Sequence, residues 1–307
     1  MGQGYRSSQV SIVVRTMGTR DRHLRRALDS VAASTWQPLQ VVVVYQGTSV
    51  QVCKRLQDMV STYSRLDGIV VQNPTDIDDR ATNLNLGWRA AGGRYLGFLD
   101  DDDVVTANHA ELLISAMTRS GAAWAYGQCK LILEESEGKL LRRTYPFFRR
   151  RYSFTELLIE NYIPIHSFLL DRQELQSTFP EPPFFGPLQR SEDWDFLLRL
   201  AYGHVPAVVH HCVCTYFASA GGDNTNMSIA PSATAVANEQ SGAWAVGRRT
   251  VLQRAKEMLR SDPEGARHLA ALDYQRSAGP IRRALRRLRL GWFRLLYAVG
   301  QKLQARE

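Results

Sequence analysis

Tyr95-Leu96-Gly97-Phe98-Leu99-Asp100-Asp101-Asp102-Asp103 decides the fold. Its first five residues are a nearly continuous apolar run, the pattern of a β-strand buried on both faces and so of a parallel sheet covered by helices. Its last four are adjacent carboxylates, which repel one another and require a compensating cation. In open α/β sheets ligands bind beyond the carboxyl ends of the strands, which is where this run falls. Short acidic runs are more often solvated turns that water screens, but the position behind a buried strand favours a metal-diphosphate site. Hard carboxylate oxygens suit Mg2+ or Mn2+, which one or two carboxylates hold together with substrate phosphates.

Working outward, residues 10–14 read as a second buried strand, 22–34 as a helix with Leu24, Ala27, Leu28 and Val31 on one face, and 41–44 as a further strand. Together they form a βαβ unit. Residues 69–71 suit a short strand, 84–91 a helix closed by Gly92-Gly93, and 107–119 a helix burying Leu112, Leu113, Ala116 and Met117. Residues 122–126 continue the apolar pattern, and 130–134 with 139–143 flank the turn Ser136-Glu137-Gly138 as a hairpin. Such alternation implies an α/β fold with a mostly parallel sheet.

At 307 residues, 44% hydrophobic and 22% charged, the chain can bury a sizeable core and is not disordered. Its four cysteines, Cys53, Cys129, Cys212 and Cys214, show no CxxC spacing, and Met1-Gly2-Gln3-Gly4 does not read as a signal peptide, so a reducing cytoplasm is expected. No apolar run reaches the ~20 residues that cross a bilayer. The net charge is +8, but residues 281–307 carry eight Lys or Arg against one acid, so the remainder is nearly neutral.

The order Val10-Ser11-Ile12-Val13-Val14-Arg15-Thr16, Leu28-Asp29-Ser30-Val31, Asn85-Leu86-Gly87 and Phe98-Leu99-Asp100-Asp101-Asp102-Asp103 resembles the family 2 glycosyltransferases of the GT-A fold. The resemblance extends from about Gln9 to about Phe217 and includes Glu192-Asp193-Trp194-Asp195. It implies a GT-A, Rossmann-like fold with a mostly parallel central sheet flanked by helices and a helical C-terminal extension. It also implies a glycosyltransferase domain over 1–220, with a donor half to about 126 and an acceptor half over 127–220. A loop and helical extension over 221–280 and a basic helix over 281–307 would follow. In the donor half, the resemblance puts Asp100 near the ribose or donor sugar with Asp101 beside it, and Asp102, with Asp100, on Mn2+ or Mg2+. Thr16 matches a position beside the nucleotide, although its hydroxyl equally suits a turn cap. Arg80 stands about where the family places a diphosphate-binding arginine, and reads equally as a surface residue. The family's usual Ala-Arg-Asn-x-Gly text reads Asn83-Leu84-Asn85-Leu86-Gly87 here, and the resemblance puts Asn85 and Gln46 among the nucleotide-sugar-binding residues, although Tyr45 and Gln46 replace an Asp pair. Gln46 can still donate to and accept from a base edge.

On the acceptor side, Ser191 followed by Glu192 and Asp193 is first an ordinary helix start, with Ser as N-cap and acids favoured by the dipole. The resemblance adds Asp193 as general base and Glu192 as its orienting neighbour, hence direct displacement with inversion. The expected partners are a nucleoside-diphosphate sugar and a glycan acceptor, lipid-linked in surface polysaccharide or O-antigen assembly. His166 reads as a structural histidine, His210-His211-Cys212-Val213-Cys214 as a mixed strand rather than a metal site, and Pro182-Pro183-Phe184-Phe185-Gly186-Pro187 as a stiff loop. In 281–303, Ile281, Leu285, Leu288, Trp292, Leu295, Leu296, Val299 and Leu303 recur at helical spacing among arginines. This suits an anionic membrane surface, peripherally at the inner face of the plasma membrane, or a helix docked on protein. Nucleic acid is not expected, since no binding motif accompanies the charge. Competing readings are nucleotidyl or phosphosugar transfer on the same fold, and a non-catalytic carbohydrate-binding or scaffold relative, which the missing Asp pair at Tyr45-Gln46 favours.

Overall fold

The apolar runs become the inner strands of one sheet. The computed structural model describes residues 6–134, 140–144, 151–176, 182–219, 242–260 and 263–277. Its first half alternates strictly: β1 (Arg6–Thr16), α1 (Asp21–Ala32), β2 (Leu39–Gln46), α2 (Val50–Ser61), β3 (Asp67–Asn73), α3 (Arg80–Ala90) and β4 (Gly93–Asp100). A two-residue β5 (Val104–Val105), α4 (His109–Ser120), β6 (Trp124–Glu134) and β7 (Leu140–Thr144) follow, then α5 (Phe154–Leu157), β8 (Phe168–Asp171) and α6 (Arg172–Leu175). The last elements are α7 (Glu192–Gly203), β9 (Ala207–Ser219), α8 (Ala243–Leu259) and α9 (Pro263–Ser277).

The strands form one nine-stranded sheet in the order β3-β2-β1-β4-β8-β6-β9-β5, with β7 also paired to β6. The run β3-β2-β1-β4 is parallel. β8 joins β4 and β6 antiparallel, and β9 lies parallel to β6. The GT-A architecture expected from the sequence is therefore present, with a central sheet flanked by helices and a helical C-terminal extension.

Alternation along the strands divides the core. Val10, Ile12 and Val14 of β1 and Val41 and Val43 of β2 pack in one cluster with Leu24, Ala27, Leu28 and Val31 of α1, Leu56, Met59 and Val60 of α2, and Leu113, Ala116 and Met117 of α4. Val13 points the other way, against α3, where Gly87 lets helix and strand approach; a Cβ on Gly87 would run into the Val13 methyls. The aromatic group Phe98, Phe168, Phe184 and Phe196 fills the interior with edge-to-face and stacked contacts.

Most strands run longer than the sequence expectation, and residues 124–134 form one strand where two were expected; the start of α3 and the presence of α2 differ from it too. α3 starts at Arg80 rather than at residue 84, because the Asp79 side chain accepts from the Thr82 amide and caps the helix early. α2, which the pattern did not suggest, is started by Ser49 accepting from Val52 N and buries only Leu56, Met59 and Val60. The chain divides into two compact units at Ala255 and Lys256. The first holds the whole sheet. The second contains the end of α8 and α9, with Leu259 and Leu272 buried. No helix among the described residues is long and apolar enough to cross a membrane. The turn at Ser136, the loop expected at 221–226 and the basic stretch 281–307 lie outside the described residues.

Candidate active site

Parallel pairing aligns the carboxyl ends of β1 to β4, and this alignment builds the site. Arg15 is the register partner of Asp100, so their side chains leave the same face of neighbouring strands. The Arg15 guanidinium binds both Asp100 oxygens, through Nε and, at 3.2 Å, through Nη2. Its Nη1 donates to Glu192 Oε1 at 2.6 Å. One largely covered arginine thus joins the end of the acidic strand to the first residue of α7, 92 positions later in the chain.

The compensating cations expected for the acidic run are side chains of the fold. Arg20 donates to Asp101 at 2.5 Å and to Asp102 at 2.8 Å. Thr16 Oγ1 donates to Asp101 at 2.6 Å while accepting from Gly18 N at 3.0 Å, so the hydroxyl caps the turn and holds the carboxylate at once. Arg26 donates to the Asp102 carbonyl at 2.7 Å. Asp103, fully buried, accepts from Phe217 N at 2.8 Å and lies 3.2 Å from His166 Nδ1. Burial pushes the Asp100 carboxyl up, but the charge and hydrogen bonds of Arg15, with Arg80 behind it, outweigh this and hold it at about 2. Asp101 goes the other way, to about 6: burial raises it, Arg20 offsets part of that, and the charge of Asp102 adds to the rise.

Arg80, at the start of α3, is largely buried and meets Asp78 only loosely, at 3.6 Å. Burial lowers its pKa, and so do the like charges of Arg15 and Arg190, against the pull of Glu192 and Asp100. Three guanidinium groups crowded at one mouth can accept a multivalent anion. Gln46 and Asn85 have partners within the fold. Gln46 donates to Ile77 O at 2.9 Å and accepts from Asp79 N at 3.2 Å and Asn83 Nδ2 at 2.7 Å, which pins the start of α3. Asn85 exchanges hydrogen bonds with both backbone groups of Phe184, each at 2.9 Å. Phe184 is fully buried, so the proline-flanked loop is anchored by core packing.

At the other lip of the site, Ser191 is the N-cap of α7, yet it adopts φ 66° and its hydroxyl makes no capping bond. The expected Ser thus holds the N-cap position, but as a strained left-handed residue without a side-chain capping bond, directly before Glu192-Asp193. Glu192 is buried on Arg15. Asp193 is partly exposed, accepting from Asn161 Nδ2 and from Trp194 N, each at 2.9 Å. Burial and then the neighbouring charge of Glu192 raise the Asp193 carboxyl to about 7, with Arg15 opposing. Asp195 turns away into ion pairs with Arg199 at 3.0 Å and Arg254 at 2.7 Å.

Residues 11–179 match the family described as Glycosyl transferase family 2. The chain belongs to that family. An uncharacterised glycosyltransferase of Methanocaldococcus jannaschii is 20% identical over 200 residues, 62% of this family 2 chain and 63% of that protein. The Escherichia coli UDP-Glc:alpha-D-GlcNAc-diphosphoundecaprenol beta-1,3-glucosyltransferase WfgD is 30% identical over 117 residues, 38% of this chain and 42% of its own. The chain thus spans less than two thirds of either relative. Among solved structures, S. aureus TarS 1–349 in complex with UDP-GlcNAc superposes with TM-score 0.58 and 16% identity, covering 86% of this chain and 70% of that one. Mannosyltransferase PcManGT of Pyrobaculum calidifontis, in complex with GDP-Man and Mn2+, gives TM-score 0.51 and 15% identity over 95% of this chain and 81% of that one.

A divalent cation fits this family 2 site at Asp102. That carboxylate is 30% exposed and is reached by an Arg20 side chain that is itself half exposed. One such carboxylate completed by phosphate oxygens and water is an ordinary Mg2+ set. Asp100 is engaged on Arg15, and among the described residues the acidic run does not form a three-ligand cluster. The cations Arg15, Arg20 and Arg190 and the amide of Asn161 were not anticipated from the sequence. An arginine closing a buried strand is the signal that singles out Arg15.

Proposed function

We propose that the chain transfers a sugar, with inversion, from a nucleoside diphosphate to a hydroxyl of a glycan acceptor. The observation that carries this reading is Arg15, which draws the donor-side carboxylate Asp100 and the acceptor-side Glu192 onto one guanidinium. Asp193 follows directly, with a carboxyl near 7 that is suited to taking a proton at neutral pH. The acceptor hydroxyl attacks the anomeric carbon as Asp193 removes its proton, and the nucleoside diphosphate departs from the opposite face. Asn161 and the Trp194 amide hold the Asp193 carboxylate, each using one lone pair and leaving others for the acceptor.

Charge developing on the leaving diphosphate faces Arg80 and its neighbours Arg15 and Arg190, fixed donors in a partly dry site. Mn2+ or Mg2+ on Asp102, when bound, supplies Lewis-acid stabilisation of the same oxygens. Thr16 and Asp101 shape the nucleotide side, and Gln46 and Asn85 fix α3 from which Arg80 projects. Residues up to about 126 form the donor half and 127–220 the acceptor half. The acceptor is a lipid-linked surface glycan, a proposal supported by the diphosphoundecaprenol substrate named for WfgD and by the basic, apolar sequence of residues 281–307. On this reading the protein works in the cytoplasm, peripherally at the inner face of the plasma membrane.

The test is a thermal-shift panel of UDP-, GDP-, dTDP- and CMP-sugars with Mn2+ or Mg2+, on the natural sequence and on Asp102→Asn. Cation-dependent stabilisation by one donor class, lost in the variant, is expected. Folded protein that responds to no donor would overturn the reading in favour of a non-catalytic relative.

A further inference from the structure

Beside the acidic run, at Asp103, three ligand-type side chains from three segments meet in the core. Cys129 of β6 and Cys214 of β9 are direct register partners on parallel strands. They become partners only because the pairing slips between Gly127 and Cys129, where β9 inserts extra residues. Such irregularities re-aim side chains. His166 comes from a single 3-10 turn, Ile165–Ser167, just before β8. The two sulfurs and an imidazole nitrogen all lie within 4.8 Å of one another, and His166 Nε2 is 3.4 Å from Cys129 Sγ. Ligand atoms of a tetrahedral zinc, with Zn–S near 2.3 Å and Zn–N near 2.0–2.1 Å, stand about 3.5 Å apart. Cys129 and Cys214 are 0% exposed and His166 2%. All four cysteines of the chain are free thiols.

The surroundings suit a metal ligand set as well. The other nitrogen of His166, Nδ1, faces Asp103 Oδ2 at 3.2 Å, and the second Asp103 oxygen is held by Phe217 N. Tyr216 stacks on the imidazole with the rings 6° from parallel. A carboxylate on the far nitrogen is the usual partner of a ligating histidine, because it fixes the tautomer and the ring orientation. Soft thiolate and imidazole donors in a dry interior select zinc-type ions over Mg2+ or Mn2+. We propose that Cys129, His166 and Cys214 form a buried zinc site, separate from the hard-oxygen site at Asp102, that ties β6, β9 and the turn before β8 to Asp103. Through Asp103 this site anchors the carboxyl-terminal end of the acidic run.

The experiment uses the full chain purified under reducing conditions from cells grown with zinc and, in parallel, with cobalt supplementation. Elemental analysis is expected to find zinc at one per chain, retained through gel filtration. The cobalt form is expected to show the intense near-ultraviolet thiolate-to-cobalt charge-transfer band that a hard-oxygen site cannot give. Cys129→Ser and Cys214→Ser should each abolish the band and the zinc, and Cys53→Ser should leave both intact. If the serine variants fail to fold, the cobalt spectrum of the natural sequence still decides the matter. Metal-free protein with no such band overturns the proposal, as does a mass deficit mapping to a Cys129–Cys214 disulfide.

Discussion

Replacing Arg15 with methionine should destabilise the unliganded protein strongly at neutral pH and less in mild acid. Arg15 neutralises two carboxylates, and they differ in their access to water. Asp100 keeps 28% of its side chain exposed, so solvent relieves part of its loss. Glu192 keeps 3%, so it is left as a buried charge. Removing one partner of a buried pair costs about 3–5 kcal/mol. An uncompensated buried glutamate can instead take up a proton, and that uptake becomes cheaper as the pH falls. The cheaper route sets the ceiling, so Arg15→Met should cost about 3–5 kcal/mol at pH 7 and less at pH 5. Urea unfolding at both pH values measures this as a fall in midpoint at constant slope. Adding Glu192→Gln to the variant should recover most of the loss at pH 7, because the two residues are directly coupled. A loss below about 1 kcal/mol at pH 7, or one that does not shrink in acid, would refute the reasoning and indicate that Arg80, whose charge already acts on Glu192, takes over the pair.

Asp193→Asn should lower kcat by about 10²–10⁴-fold while leaving donor binding intact, and kcat/KM of the unaltered protein should fall tenfold per pH unit below about 7. Glu192→Gln removes the like charge that helps raise Asp193, so that acidic limb should move to lower pH; an unmoved limb would exclude Asp193 as its source. Thermal stability carries a related signature. Asp101 and Asp193 titrate higher in the folded chain than unfolded, so the folded state binds more protons between about pH 4 and 7, and stability should decrease as pH rises through that window. The depressed Asp100 acts oppositely and only below about pH 4, where its contribution is lost as the pH falls toward 2. A melting temperature that rises steadily from pH 5 to pH 7 would contradict this. Gly87→Ala should cost about 1–3 kcal/mol by overpacking α3 on β1, and Val13→Ala should relieve part of it; additive losses in the double variant would mean that the helix simply moves away.

Local patterns revealed the elements and hid the partners, for a physical reason. The stripe Leu24, Ala27, Leu28 and Val31 could be read as a buried helix face because its period is set by the helix itself, and all four residues are buried. The run 95–99 could be read as an inner strand for a similar reason. α2 was not legible, because Val50, Val52 and Cys53 interrupt the helical pattern with side chains that β-strands also favour, and only three residues reach the core. Gln46 looked like a base reader since its amide offers a donor and an acceptor. Only the folded chain shows both already engaged, by Ile77, Asp79 and Asn83.

The charge cluster needed one further fact, the order of the sheet. β4 follows β3 in the chain but pairs with β1, and that crossover brings Arg15 beside Asp100 across 85 residues. The same holds for Cys129 and Cys214, whose meeting depends on β9 pairing with β6 and on a slip in register within that pair. Because β1 and β4 are parallel neighbours, aligning their apolar runs places Arg15 opposite Asp100. The acidic run then stops looking like an incomplete metal site awaiting all its positive charge from outside. It becomes a partly neutralised strand end in which Asp102, 30% exposed and paired with the half-exposed Arg20, is the carboxylate that the proposed Mn2+ or Mg2+ would share with a phosphate.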